Sequence, residues 1–188
     1  MKKGKIVIIV APSGSGKSTL IKKLKQEFPE LVESVSFTTR PIREGEVDGV
    51  AYNFLNEEEF KAKIDAGDFL EWAKVHGNYY GTDKNFVKSR IDKGVNLLFD
   101  LDVQGTDSFK SHFKDDAKAI FIAPPSIDEL ENRLRGRGTD STGVINLRLE
   151  NSRKEILRKD DYDYCVVNDE LVRAFDELKV LVRSILEN

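Results

Sequence analysis

Cysteine is nearly absent from this sequence: Cys165 is the single one among 188 residues. No internal disulfide can form, and a reducing interior is the easier setting for such a chain. Long apolar runs are missing as well. None approaches the roughly 20 residues that a membrane-crossing helix needs. A surplus of one charge is the third absence. Charged residues make up 34% of the chain, yet 30 basic and 33 acidic side chains leave a net charge of only −3. That argues against a whole-protein electrostatic grip on nucleic acid, although basic groups can still converge locally. Internal repeats and low-complexity linkers are lacking too. What remains suits one compact domain with small inserted lobes, and a hydrophobic content of 39% is enough for a core. The opening "MKKGKIVIIVAPSG" faintly mimics a signal peptide. Its apolar centre is only about six residues long and glycines follow at once, so it reads as a buried strand. The expectation is a soluble, cytoplasmic chain.

The elements that are present alternate. "KIVIIV" (5–10) is a short β-branched run typical of a strand buried on both faces. From Lys17, Leu20, Leu24 and Phe28 recur at helical spacing, and Pro29 ends the helix. "ESVSF" reads as a strand. "TTRPIREGEVDGVAYNF" has no helical period, "NEEEFKAKIDAG" looks like a capped helix, and "FLEWAKVHGNYYG" reads as two strands around 76–78. Thr82 is placed to cap a helix running to about Asp92. "VNLLFDL" (95–101) and "AKAIFIA" (117–123) are further buried strands. "SIDELENRLRGRG" opens a helix with Ser126 and Glu129 as a capping box. A second, arginine-bearing segment is helical after Gly143, and "DYCVVND" is a last strand before a last helix. Strands separated by helices predict an α/β fold with a parallel core sheet. Residues 34–83 break the alternation and read as an inserted lobe.

"APSGSGKST" (11–19) follows the first strand and opens the first helix. That is the setting a phosphate-binding loop requires, although Ala11 stands where the pattern G-x-x-x-x-G-K-[ST] has glycine. Backbone N–H groups of residues 13–18 can cradle a diphosphate, aided by the positive end of the helix. Lys17 would bridge the β- and γ-phosphates, and the Ser18 hydroxyl would ligate Mg²⁺. Gly14 and Gly16 sit where positive φ or close approach is needed. A Gly/Ser turn with no ligand is the plainer alternative.

The densest polar cluster is "SFTTRPIREGEVDGVAYNF". Arg40, Arg43 and Tyr52 make a suitable grip for a phosphate dianion. Glu46 and Glu71 could accept two N–H donors from a base edge, as guanine presents at N1 and N2. A solvated, turn-rich loop explains the same residues, and the residues alone leave both readings open. Asp100 and Asp102 lie two apart and face the same way at the carboxyl end of a strand, where α/β ligands bind.

Together these stretches resemble the guanylate kinase family. The likeness is carried by "APSGSGKST", "SFTTRPIREGEVDGVAYNF", "FLEWAKVHGNYYGT", "LLFDLDVQG", "IFIAPPS", "RLRGRGTDS" with "NLRL", and "VVND", in the family's order from about residue 5 to 185. The resemblance implies a P-loop kinase: a parallel-sheet core (about 1–33, 84–135 and 149–188), a mixed α/β GMP-binding lobe (about 34–83) and a helical lid (about 136–148). It implies transfer of a phosphoryl group from ATP to GMP, with dGMP as a further acceptor, in purine nucleotide metabolism. ATP would meet Ala11, Pro12, Ser13, Gly14, Ser15, Gly16, Lys17, Ser18, Thr19, Arg137 and Asn168, the last near the adenine edge. Ser36, Arg40, Arg43, Glu46, Tyr52, Glu71, Tyr80 and Thr82 would surround GMP. Of these Arg40, Arg43, Tyr52 and Tyr80 hold its phosphate, and Glu71 with Ser36 and Thr82 reads the guanine. Asp100 and Asp102 would lie beside GMP and the metal, with Ser18 and Asp102 as Mg²⁺ ligands.

The catalytic set implied is Lys17, Arg43, Arg137 and Arg148, because a phosphoryl transition state spreads negative charge that fixed cations stabilise. Arg133 and Arg135 fit a plainer role as a basic helix face paired with Glu129, Glu131 and Glu150. Ala11, Phe37 and Thr82 depart from the commonest family residues. The expected partners are small-molecule nucleotides, with no nucleic acid and no membrane, acting as a monomer or homodimer. Three rivals stand beside this reading. A binding module of the same fold typically has a degraded phosphate loop, and here Gly16-Lys17-Ser18 is intact. A GTPase would share the D-x-x-G of "DVQG", but no N-K-x-D is found. A kinase for a phosphorylated ribose would not need the base-reading Glu71 and Ser36.

Overall fold

The computed structural model describes residues 2–75, 77–113, 116–136 and 141–187. Contacts divide the chain into two units. One holds Met1–Ile6, Glu30–Phe99 and Gln104–Ala117; the other holds Val7–Pro29, Asp100–Val103 and Lys118–Asn188.

A five-stranded sheet runs in the order β2-β7-β1-β8-β9. Its members are β1 (Ile6–Val10), β2 (Val32–Glu33), β7 (Leu97–Leu101), β8 (Ala117–Ala123) and β9 (Tyr164–Val167). The pairs β2–β7 and β8–β9 are parallel, with Val32 opposite Leu97 and Ile120 opposite Tyr164. The reason is legible in composition. Every residue of β1 is buried, as are six of the seven in β8, and helices supply the cover that a parallel sheet needs on both faces.

In the unit that contains Val7–Pro29, α1 (Lys17–Glu27) buries Leu20, Ile21 and Leu24. In the same unit, α7 (Leu171–Glu187) buries Ala174, Leu178, Val182 and Ile185, an apolar stripe at helical period. Phe121 of β8 stacks on Tyr162 with ring centres 5.3 Å apart. The helices α5 (Ile127–Gly136) and α6 (Thr142–Ile156) pack through Leu130, Leu134, Ile145 and Leu149. The lid boundary predicted at 136–148 falls partly on 137–140, outside the described residues.

The other unit contains a second sheet, of order β4-β3-β6-β5, all of it within residues 37–83. Here β3 (Phe37–Thr38) pairs in parallel with β4 (Asn53–Phe54) and antiparallel with β6 (Asn78–Asp83). Strand β5 (Phe69–Val75) completes it, antiparallel to β6. Helix α2 (Glu57–Asp65) lies between β4 and β5 in the chain. It is capped by Asn56, whose side chain accepts from Glu59 N while Glu59 reaches back to Asn56 N. Its buried Phe60 stacks on Phe69 at 4.5 Å and on Tyr79 at 5.4 Å, which seats the helix on the sheet. Phe37 packs edge-on against Phe69.

Three expectations change. "ESVSF" is not one strand: Glu33 ends β2, Phe37 starts β3, and the two belong to different sheets. The β signal spans the gap because both ends are extended, but their partners differ. Thr82 does not cap the following helix. Asp83 does, accepting from Phe86 N at 2.6 Å, and α3 runs Lys84–Asp92. A helix absent from the sequence reading, α4 (Val103–Phe113), joins β7 to β8. Its buried Thr106 and Phe109 lie at helical spacing, with Phe99 4.5 Å from Phe109. The D-x-x-G string of "DVQG" runs into the first turn of α4.

Candidate nucleotide site

The loop between β1 and α1 is held in shape by backbone geometry. Gly14 and Gly16 have φ of 95° and 88°, a region side chains disfavour. A Cβ at Gly14 would come within 3.0 Å of Leu130 and Leu134, and one at Gly16 within 2.3 Å of Asn168 Nδ2. Ser15 N donates to Pro12 O at 3.2 Å, which closes the turn. Pro12 and Ser15 are buried, Ala11 and Gly14 half-buried, and Ser13, Ser18 and Thr19 exposed. Ser15 Oγ is buried with no hydrogen-bond partner among the described residues.

Lys17 is the first residue of α1. Its ammonium is ion-paired with Asp100 near the end of β7 and donates to Leu101 O at 3.3 Å. Asp102, half-buried, follows the same strand. Arg148 on α6 reaches Ser13 Oγ through a long 3.5 Å contact, bringing one predicted lid arginine to the loop. Arg137 lies outside the described residues. Asn168, 5% exposed, donates from Nδ2 to Ser15 O at 2.7 Å. Arg133 pairs with Glu129 and Arg135 with Glu131, as the plainer reading of these arginines has it, whereas Glu150 takes Lys154 one turn along α6; Arg133 also donates from Nη1 to Asn168 O at 3.1 Å.

One residue of this group was not picked out from the sequence. Glu155 sits on α6, two turns beyond Arg148 and so on the same helix face. Burial pushes its carboxyl up to about 7; the charge of Asp102 adds to this and that of Lys17 opposes it. The available signal was the seven-residue spacing from Arg148, which sequence alone cannot tell from an ordinary charged face. A test follows from the sign. A carboxyl that binds its proton more tightly when folded loses stability as pH rises from about 4.5 to about 7. Glu155→Gln should therefore gain on the native chain across that window, by on the order of 2–3 kcal/mol. Thermal or urea unfolding of the two proteins at pH 4.5 and pH 8 measures it; a difference that does not change with pH would remove the carboxyl's buried titration.

The second cluster lies in the other unit, around β3, β5 and β6. Glu71 and Thr82 are directly opposed across β5 and β6, both buried, with Thr82 Oγ1 donating to Glu71 Oε1 at 2.6 Å. Arg40 is held by Glu46, with Nη2 2.7 Å and 3.0 Å from the two carboxylate oxygens. That hydrogen bond is the main reason the guanidinium is raised and the Glu46 carboxyl lowered from their ordinary values. Glu46 also accepts from Arg43 N at 2.8 Å, so it organises the 40–46 turn. Arg40 lies over the ring of Tyr52 at 5.4 Å, and Tyr52 meets Tyr80 edge-on at 5.9 Å. Arg40, Tyr52 and Tyr80 are thus brought together. Arg43 is exposed, and Ser36 is half-buried beside them in sequence, its carbonyl taking Asn53 N at 2.9 Å. Asp100 and Asp102 belong to the unit that carries Lys17.

The family model described as guanylate kinase matches residues 3–185. The chain belongs to the guanylate kinase family. A guanylate kinase from Chromobacterium violaceum is 48% identical over 181 residues, covering 96% of this chain and 86% of that relative. One from Bdellovibrio bacteriovorus is 42% identical, covering 98% and 99%. Among solved structures, guanylate kinase from Anaplasma phagocytophilum superposes with a TM-score of 0.82 at 32% identity, over all of this chain and 88% of the other. A gluconokinase from Sinorhizobium meliloti 1021, at 14% identity and a TM-score of 0.56, shares the fold. With family membership, the parallel α/β core predicted from the alternation of elements is the guanylate kinase fold.

Proposed function

We infer that this chain transfers the γ-phosphoryl group of ATP to GMP, giving ADP and GDP. The observation that carries the reading is the intact phosphate loop, with Gly14 and Gly16 at positive φ and Lys17 at the head of α1, in a chain of this family. A binding module of the same fold has no need of an intact phosphate-cradling loop. In the proposed arrangement the amides of residues 13–18 receive the triphosphate, and Lys17 exchanges its bond to Asp100 for the β- and γ-oxygens. Arg148, and Arg137 with it, stabilises charge on the migrating group. Arg40, Arg43, Tyr52 and Tyr80 grip the phosphate of GMP, and Glu71 takes the N–H donors of guanine, its carboxylate oriented by the Thr82 hydroxyl. Residues 34–83 serve as the GMP lobe and about 136–148 as the lid.

The donor set suits Mg²⁺. Ser18 and Asp102 offer hard oxygens, and no group of three or more metal-ligating side chains occurs among the described residues. A cation here must therefore take most of its ligands from phosphate and water, as Mg²⁺ does. When bound, it would neutralise the β- and γ-oxygens of ATP. The proposed setting is the cytoplasm, in purine nucleotide metabolism. No helix among the described residues is long and apolar enough to cross a membrane.

ATP consumption measured with GMP, AMP, UMP and a ribose phosphate, each as sole acceptor, tests the reading. Consumption is expected with GMP well above the other three. Turnover without any acceptor would point to a GTPase-like hydrolase, turnover with the ribose phosphate to the base-free kinase, and none at all to a binding module.

A further inference from the structure

Asn168 is the buried residue whose contacts the transfer chemistry leaves unexplained. Its side chain reaches 153 positions back along the sequence to the Ser15 carbonyl, at 2.7 Å. Its own backbone is tied at both ends. Asn168 N donates to Ala123 O at 2.8 Å, at the end of β8, and Asn168 O accepts from Arg133 Nη1 at 3.1 Å. Arg133 is in turn held through Nε by Glu129 at 2.9 Å. The amide is therefore delivered to the loop from an anchored backbone. The donor assignment is forced, because a carbonyl oxygen can only accept.

The consequence follows from peptide geometry. The Ser15–Gly16 peptide is planar and trans, so its C=O and the Gly16 N–H point in opposite directions. Holding the carbonyl toward Asn168 turns the Gly16 N–H the other way. Only glycine fits at position 16 beside this amide, since Asn168 Nδ2 occupies the space a Cβ would need, 2.3 Å away. We propose that Asn168 is a positioning residue for the phosphate loop, fixing the Ser15–Gly16 peptide so that the loop amides and Lys17 are set to receive phosphate. This rests on the reading of residues 13–18 as the triphosphate site. It differs from a contact to adenine, for which the base, and not the phosphates, would report the loss.

The discriminating probe has phosphates and no base. Inorganic tripolyphosphate with Mg²⁺ is titrated into the native protein, Asn168→Ala and Asn168→Asp, with ATP and GMP titrated separately. The native chain should bind tripolyphosphate. Asn168→Ala leaves the buried Ser15 carbonyl unsatisfied and should weaken tripolyphosphate and ATP alike, by about tenfold or more. Asn168→Asp keeps the shape but sets a carboxylate against that carbonyl, and should be at least as weak. GMP affinity should be unchanged in both, because the Glu71–Thr82 cluster is untouched. If Asn168→Ala weakens ATP but not tripolyphosphate, the residue contacts the base and the proposal fails while the phosphate loop stands. If the native protein itself does not bind tripolyphosphate, the loop reading falls and takes the proposal with it. Loss of GMP binding in both variants would make Asn168 a general support of the fold, which also overturns it.

Discussion

Lys17→Ala is expected to lower turnover by about a hundredfold to a thousandfold or more, while GMP binds as before. The lysine is the first residue of α1, where the helix end carries a partial positive charge. Its ammonium is the only full positive charge on the loop itself, residues 11–19. In the structure that charge is balanced by Asp100 and the Leu101 carbonyl. A triphosphate offers it stronger partners, and the transition state stronger ones still, so the loss falls on the chemical step. Alanine also leaves Asp100 without its ammonium, and some loss of stability should accompany the loss of rate. Melting temperature and GMP affinity separate the two effects. Turnover within a factor of a few of the native value would remove the loop from the mechanism.

Glu71→Gln should weaken the use of GMP by about a hundredfold or more, with ATP binding nearly unaffected. Glu71 is buried and its Oε1 takes the Thr82 hydroxyl at 2.6 Å, which fixes the plane of the carboxylate. A carboxylate only accepts. An amide of the same size must turn its N–H₂ donors toward guanine N1–H or N2–H₂, and donor then faces donor at a buried position. The Thr82 bond survives in the variant, because the glutamine oxygen can still accept it, so the β5–β6 pair should hold. Comparing KM for GMP with the affinity for ATP isolates the effect. Unchanged KM for GMP would mean that guanine is read by another group.

The family was legible in the sequence because its motifs are local. A strand followed by "GSGKST" needs no distant partner to be recognised, since the glycines that permit positive φ and the lysine that starts the helix are written in the segment itself. The α/β architecture was legible for the same reason: runs such as "AKAIFIA" carry their own period and length, and β8 begins and ends where the run does. The second cluster was legible as a set of residues but not as an arrangement. Arginines, a tyrosine and a glutamate in one loop suggest a phosphate grip, but nothing in the string says that Glu46 would bind Arg40 and the Arg43 amide together.

What tertiary structure alone decided is who faces whom. Thr82 and Asp83 are both good caps by residue type; the cross-strand register with Glu71 took Thr82 into the sheet and left the helix to Asp83. Glu155 reads as one more charge in a helix of charges until burial and the neighbourhood of Asp102 raise its carboxyl to about 7. Asn168 reads as the polar end of a strand until its amide is found on Ser15. The residue types and the local backbone follow from the sequence because their physics acts over a turn or a strand. Desolvation and the choice among several chemically suitable partners depend on groups far apart in the chain, and only the folded arrangement brings those groups within reach.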